Sequence, residues 1–101
     1  MLVLLGKGIV DLDGKVINSL SGEPATVRGV VIEALLATFN DETHLSGEEK
    51  LKRWELASKI KNTADPVELT AEEITLIKKL VGKAYGPLVV GRTWKILEGE
   101  V

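Results

Sequence analysis

The spacing of apolar and polar residues changes character near residue 26. Before that point apolar residues come in short runs separated by glycines: Leu2 to Leu5, Ile9 to Leu12, then Val16-Ile17. Runs of this length bounded by turn residues predict extended segments. Asp13-Gly14 sits between two apolar-containing arms, and Asp-Gly suits a two-residue type I′ turn, in which both central residues need positive φ. Gly6-Lys7-Gly8 offers a further turn, so residues 1–20 read as an antiparallel hairpin or small meander. Residues 19–24 form a polar connection containing Gly22 and Pro24.

After residue 26 the period becomes helical. Thr26 is a good N-cap, its hydroxyl able to accept from an otherwise unpaired backbone N–H. Residues 27–39 contain only two charges, Arg28 and Glu33, and their apolar positions run nearly all round the wheel, which predicts a central, buried helix. Ser46-Gly47-Glu48-Glu49 is a capping box opening a second helix that runs to about Lys61. On it Glu48/Lys52, Glu49/Arg53 and Glu55/Lys59 are spaced for i, i+4 pairing. Leu51, Trp54 and Ser58 share one side of that helix, Leu56 and Ile60 another. Asn62 to Pro66 stops it, and residues 67–69 could add a short strand. Thr70-Ala71-Glu72-Glu73 is a second capping box, with Leu69 placed to staple onto Ile74. The third helix ends at Gly86-Pro87, and proline at a first helical position starts a fourth. No internal repeat stands out. The expected fold is α+β and mostly helical: one domain over residues 1–101, with a β-hairpin region at 1–20 packed on about four helices within 26–98.

Composition narrows the chemistry. The chain has 101 residues, 45% hydrophobic and 28% charged, with a net charge of -2. That is too apolar and too nearly neutral for a disordered chain. Thirteen basic residues against 15 acidic ones give no bulk electrostatic case for nucleic acid or a membrane surface. The absence of cysteine removes disulfides, thiolate nucleophiles and zinc–thiolate sites. The apolar runs fall far short of the roughly 20 residues of a spanning helix. A cytoplasmic protein without cofactor or metal is the expectation.

The candidate catalytic groups do not converge. His44, the single histidine, stands in an acidic loop with no H-E-x-x-H spacing. Asp11-Leu12-Asp13-Gly14 resembles the start of a calcium loop, but its twelfth position is Gly22 rather than a bidentate glutamate. Gly6-Lys7-Gly8 is too short for a phosphate loop. Ser46 is engaged as a cap and lacks a nucleophile-elbow pattern. These absences point away from an enzyme and towards a protein partner or a homo-oligomer. The wide apolar arcs of the second and fourth helices are the feature to explain, with Leu88, Val89, Trp94 and Ile96 of the fourth as the candidate interface. The alternative is a nucleic-acid-directed regulator using a basic face made of Lys78, Lys79, Lys83, Arg92 and Lys95. Interleaved Glu72, Glu73 and Glu98 blunt that face, and it lacks an aromatic platform.

Four segments together resemble small uncharacterised proteins of tailed bacteriophages and prophages. They follow a DG-containing hairpin and comprise TVRGVVIEALL from Thr26, SGEEKLKRWELA from Ser46, LIKKLVGKAY from Leu76 and PLVVG from Pro87. The resemblance implies a phage setting, in which small accessory proteins work by assembly or by binding a host factor. It assigns no functional residues. The combined expectation is a non-enzymatic protein–protein interaction module, such as a morphogenesis or tail-assembly accessory.

Overall fold

Thr26 is where extended backbone turns helical. Its φ and ψ are in the β region, and its Oγ1 accepts from Gly29 N at 3.1 Å. A computed structural model describes residues 1–18 and 22–99; Ser19, Leu20 and Ser21 of the expected polar connection lie outside the described residues. The elements are β1 (Leu2–Val3), α1 (Val27–Leu36), α2 (Gly47–Asn62), β2 (Val67–Glu68), α3 (Ala71–Ala84) and α4 (Pro87–Leu97). This is the expected α+β fold of four helices with a small antiparallel sheet.

The extended N-terminal region pairs differently from the expectation. β1 does not form a hairpin with the segment after Gly8. It pairs antiparallel with β2, Leu2 opposite Glu68 and Val3 opposite Val67, which makes residues 67–68 the strand that closes the sheet. The described residues between Gly8 and Thr26 form a separate device. Ile9 N–H donates to Ala25 O (2.9 Å), Ala25 N–H to Ile17 O (2.8 Å) and Ile17 N–H to Ile9 O (3.0 Å), closing a ring of hydrogen bonds among residues eight apart. A short eight-residue recurrence underlies it: Ile9, Leu12 and Gly14 recur as Ile17, Leu20 and Gly22, and both glycines take positive φ, 83° and 86°.

The Asp-Gly turn also differs from a type I′ turn. Asp13 does not adopt positive φ. Gly14 N–H instead donates to Asp11 O at 3.1 Å and Asp11 N–H to Lys15 O at 2.9 Å, a three-residue loop with glycine at the bulge position. Asp11 Oδ1 accepts from Asp13 N and Lys15 N, both at 2.9 Å, so this carboxylate shapes its own turn.

The start of α1 is satisfied by chain far from it in sequence. Val27 N–H donates to Lys7 O at 2.8 Å and Arg28 N–H to Leu5 O at 2.7 Å. Arg28 then reaches the far end of α2, donating from one guanidinium nitrogen to Ile60 O and to Thr63 O (2.8 Å). Its other terminal nitrogen bonds Asp65 Oδ1 at 2.6 Å. The same carboxylate accepts from Leu5 N (3.0 Å) and Gly6 N (2.7 Å). One arginine thus caps the C-terminus of α2, where a cation is favoured, and holds the N-terminal segment through Asp65. α1 and α2 therefore run antiparallel.

α1 packs against α2, α3 and α4, and its Val27, Val31, Ala34 and Leu35 are buried. It is the central helix, but it ends at Leu36 rather than Phe39. Ala37 is extended, and Phe39 turns back onto the core, where Glu42 N–H closes a turn on its carbonyl at 3.1 Å. Of the capping boxes, Thr70/Glu73 is complete. At Ser46 the hydroxyl accepts from Glu49 N, while Glu49 Oε1 meets the serine hydroxyl at 3.3 Å instead of its N–H. The expected i, i+4 pairs on α2 are replaced by bonds between elements: Arg53 pairs with Glu42, and Lys59 with Glu73.

Two outcomes follow from this packing. Arg28→Ala removes three side-chain hydrogen bonds and leaves Asp65 without its cation, so it should destabilise by about 3 kcal/mol; a denaturant titration showing less than about 1 kcal/mol would mean that the cluster is not a structural tie. Thr93 is fully buried and its Oγ1 has no hydrogen-bond partner among the described residues. Thr93→Val keeps the shape and deletes the orphan hydroxyl, so the melting temperature should rise, by an amount equivalent to about 1 kcal/mol. A fall of that size would reveal a partner for the hydroxyl.

Candidate functional site

The four apolar interface candidates on α4 divide into two groups. Val89 and Trp94 turn to the interior side. Trp94 lies along α3, its Nε1 donating to Lys78 O at 3.1 Å and its ring 4.6 Å from the Lys78 ammonium. Its ring passes Gly82 closely enough that a Cβ there would be in ordinary van der Waals contact with Trp94 Cζ2, at 3.5 Å. Leu88 and Ile96 instead line an open groove of about 500 Å³ between α4 and the hairpin closed by Val10 and Val16, with Ile96 also packed in part against the core.

The basic face divides along the same boundary. Lys78 pairs with Glu98 at 2.7 Å, and Lys83 with Asp41 at 3.0 Å while sitting 5.5 Å from the Phe39 ring. The Lys78 hydrogen bond holds the Glu98 carboxyl below its usual range. Lys79 stays exposed on α3, one helical turn before Lys83. Arg92 and Lys95 line the α4 groove beside Leu88 and Ile96, and the hairpin segment adds Lys7 and Leu12. The structure thus joins two of the four apolar candidates and two of the five basic ones in one place.

A second surface, absent from the candidate residues, lies on α2. Arg53, Leu56, Ala57 and Ile60 form its buried side. Trp54, 58% exposed, and Leu51, 53% exposed, project from another side, and Leu36 at the end of α1 is 54% exposed. Leu36 and Trp54 border a depression of about 260 Å³ floored by Leu35, Phe39 and Leu45. On a 100° wheel the charged residues nearest Trp54 are Lys50 and Lys61; Glu48 and Glu55 point about a quarter-turn or more away. The wide arc of α2 was the sequence signal for this surface, but periodicity alone does not say which part of an arc the fold covers.

Behind Trp54 stands a largely buried fork. Arg53 donates to Glu42 Oε1 at 2.8 Å and to Oε2 at 2.6 Å, a bidentate pair, and Lys83 adds its charge 3.8 Å from Glu42. The pair anchors the loop after α1 to α2, so it fixes the rim of the Trp54 depression. The Arg53 hydrogen bonds hold the Glu42 carboxyl below the usual carboxylate range, against the opposing effect of burial. In the last turn of α1, Glu33 Oε2 accepts from the Tyr85 hydroxyl at 2.7 Å; burial first, then this bond, pushes the phenol pKa well up.

Neither surface carries convergent catalytic groups. His44 is exposed in its loop, Ser46 caps α2, and Asp11 is engaged in its turn. Among the described residues no group of three histidine or acidic side chains is placed to hold a metal ion, and no helix is long and apolar enough to cross a membrane.

A depressed carboxyl pKa contributes stability that is complete above the unfolded value of 4.5 and is lost as pH falls through the lower folded value. Glu42→Gln should therefore be less stable than wild type at neutral pH, with the gap closing on acidification below 4.5. Chemical denaturation across that range checks it, and a gap independent of pH would remove Glu42 as its source. No protein-family model, no curated protein and no solved structure matches this chain.

Proposed function

We propose that this chain is a non-enzymatic protein-interaction module that engages another polypeptide through the Leu51–Trp54 face of α2. The observation that carries this reading is the exposure of Trp54 beside Leu51 and Leu36, in a fold whose interior is otherwise closed around α1. Tryptophan is among the residue types that dominate binding energy when desolvated at an interface. Burying an indole and two leucines recovers apolar area at about 25 cal/mol per Å², and the bidentate Arg53–Glu42 pair pre-forms the surface that would receive the partner. A role as an assembly accessory in a tailed bacteriophage is the setting we favour; its support is the sequence resemblance.

The test is site-specific photocrosslinking from position 51 in the cells that normally produce the protein, with the adduct identified by mass spectrometry. One dominant polypeptide adduct is expected, and Trp54→Ser should abolish it while changing stability by less than about 0.5 kcal/mol, as for an ordinary surface position. A large loss of stability in Trp54→Ser would show that the indole serves the chain's own fold. Crosslinking no greater than from Lys52, on the neighbouring charged side, would reject the reading.

A further inference from the structure

The groove between the hairpin and α4 has a chemistry unlike the rest of the surface. Leu12 stands on one wall, 89% exposed, and Leu88 and Ile96 on the other. Lys7, Arg92 and Lys95 complete the lining, and no carboxylate belongs to it. Asp11 and Asp13 flank Leu12 in sequence; Asp11 is held by two backbone N–H groups of its own turn, and neither carboxylate belongs to the lining. A chain with net charge -2 thus concentrates three cations around one apolar trough.

The trough is also pre-formed. Arg92 donates from Nε to Val10 O at 3.1 Å and from a terminal nitrogen to Asp11 O at 2.9 Å, fastening the hairpin to α4. Both acceptors are neutral carbonyls, so the guanidinium positions the wall and keeps its full charge. A volume of about 500 Å³ accommodates several side chains rather than one.

We propose that this groove is a second docking site, separate from the α2 face, for an acidic segment of another protein that inserts apolar side chains between Leu12 and Leu88. Charge complementarity selects the occupant. A partner with carboxylates flanking its apolar anchors meets the cations of the rim, which gives specificity and faster association. A nucleic acid would use the cations but not the aliphatic walls, and no aromatic side chain lines the groove to stack a base. A second copy docking groove to groove would set like charges against each other.

Selection of a random displayed peptide library on the full-length protein, followed by fluorescence anisotropy of the enriched peptides, tests the proposal. Enriched peptides should be net acidic and carry leucine, isoleucine or an aromatic residue. Their affinity should fall about tenfold or more in Lys7→Glu and in Leu88→Ser and should weaken as salt is raised. Thermal melts establish that each variant is folded; if Leu88→Ser is not, Leu12→Ser on the exposed wall replaces it. Trp54→Ser should leave this binding unchanged, which separates failure here from failure of the α2 reading. Enrichment of neutral or basic peptides would overturn the proposal, as would binding that survives both groove substitutions. So would a duplex DNA whose binding needs Lys7 when no acidic peptide is enriched, or a concentration-dependent dimer that Lys7→Glu dissolves.

Discussion

The architecture depends on the partnership of Arg28 with Asp65. Arg28 belongs to the first turn of α1, and Asp65 to the loop leaving α2 towards β2. Between them they satisfy two carbonyls at the end of α2 and two backbone N–H groups of the N-terminal segment. That segment in turn provides carbonyls for the first two N–H groups of α1. The loop of dependence is closed: the N-terminal residues cap the helix whose arginine positions the aspartate that holds them. Gly6 is part of the arrangement, since a Cβ there would approach Asp65 Oδ2 to 2.7 Å. Groups that share partners in this way do not contribute additively, so loosening one contact loosens the sheet, the α1 cap and the α2 terminus together.

Local signals carried much of this fold. Thr26, Ser46 and Thr70 cap the helices they were expected to cap, proline opens α4, and the run around Val31 and Leu35 is the central helix. These features were legible because each is written within one turn of helix or between immediate neighbours. What escaped is written between distant residues. The pairing of Leu2 with Glu68 spans most of the chain, and the stop at Leu36 depends on Phe39 finding the core. Arg53 and Lys59 were expected to pair along α2, yet both reach carboxylates on other elements, where geometry and burial favour them. The recurrence of Ile, Leu and Gly at eight residues was present in the sequence, but two copies of a three-residue pattern give little contrast against turn composition in general.

The candidate site was legible in the same partial way. A helical wheel correctly described α4 as apolar over a wide arc and basic in places. It could not say that α3 would cover Trp94 while the hairpin would stop short of Leu88 and Ile96. Nor could it show that Lys78 would meet Glu98 and Lys83 Asp41, or that Arg92 and Lys95 would line a groove with Leu88 and Ile96. An apolar interface and a basic face looked like competing explanations in sequence. In three dimensions they are the wall and rim of one groove.

The two exposed apolar surfaces differ in construction, and this sets how each responds to change. The α2 face is carried by one helix and stiffened from behind by a bidentate, largely buried ion pair, so its shape is fixed as long as α2 is folded. The groove spans two elements, and its width follows the position of the hairpin. That position is set from one side by the ring of hydrogen bonds through Ile9, Ile17 and Ala25, and from the other by Arg92 gripping two carbonyls. α1 lies between the two surfaces, packed on α2 and α4 alike. Because Arg28 fixes α1 against α2 and the capping carbonyls of Leu5 and Lys7 fix the hairpin segment against α1, the cluster that closes the fold also fixes one surface relative to the other.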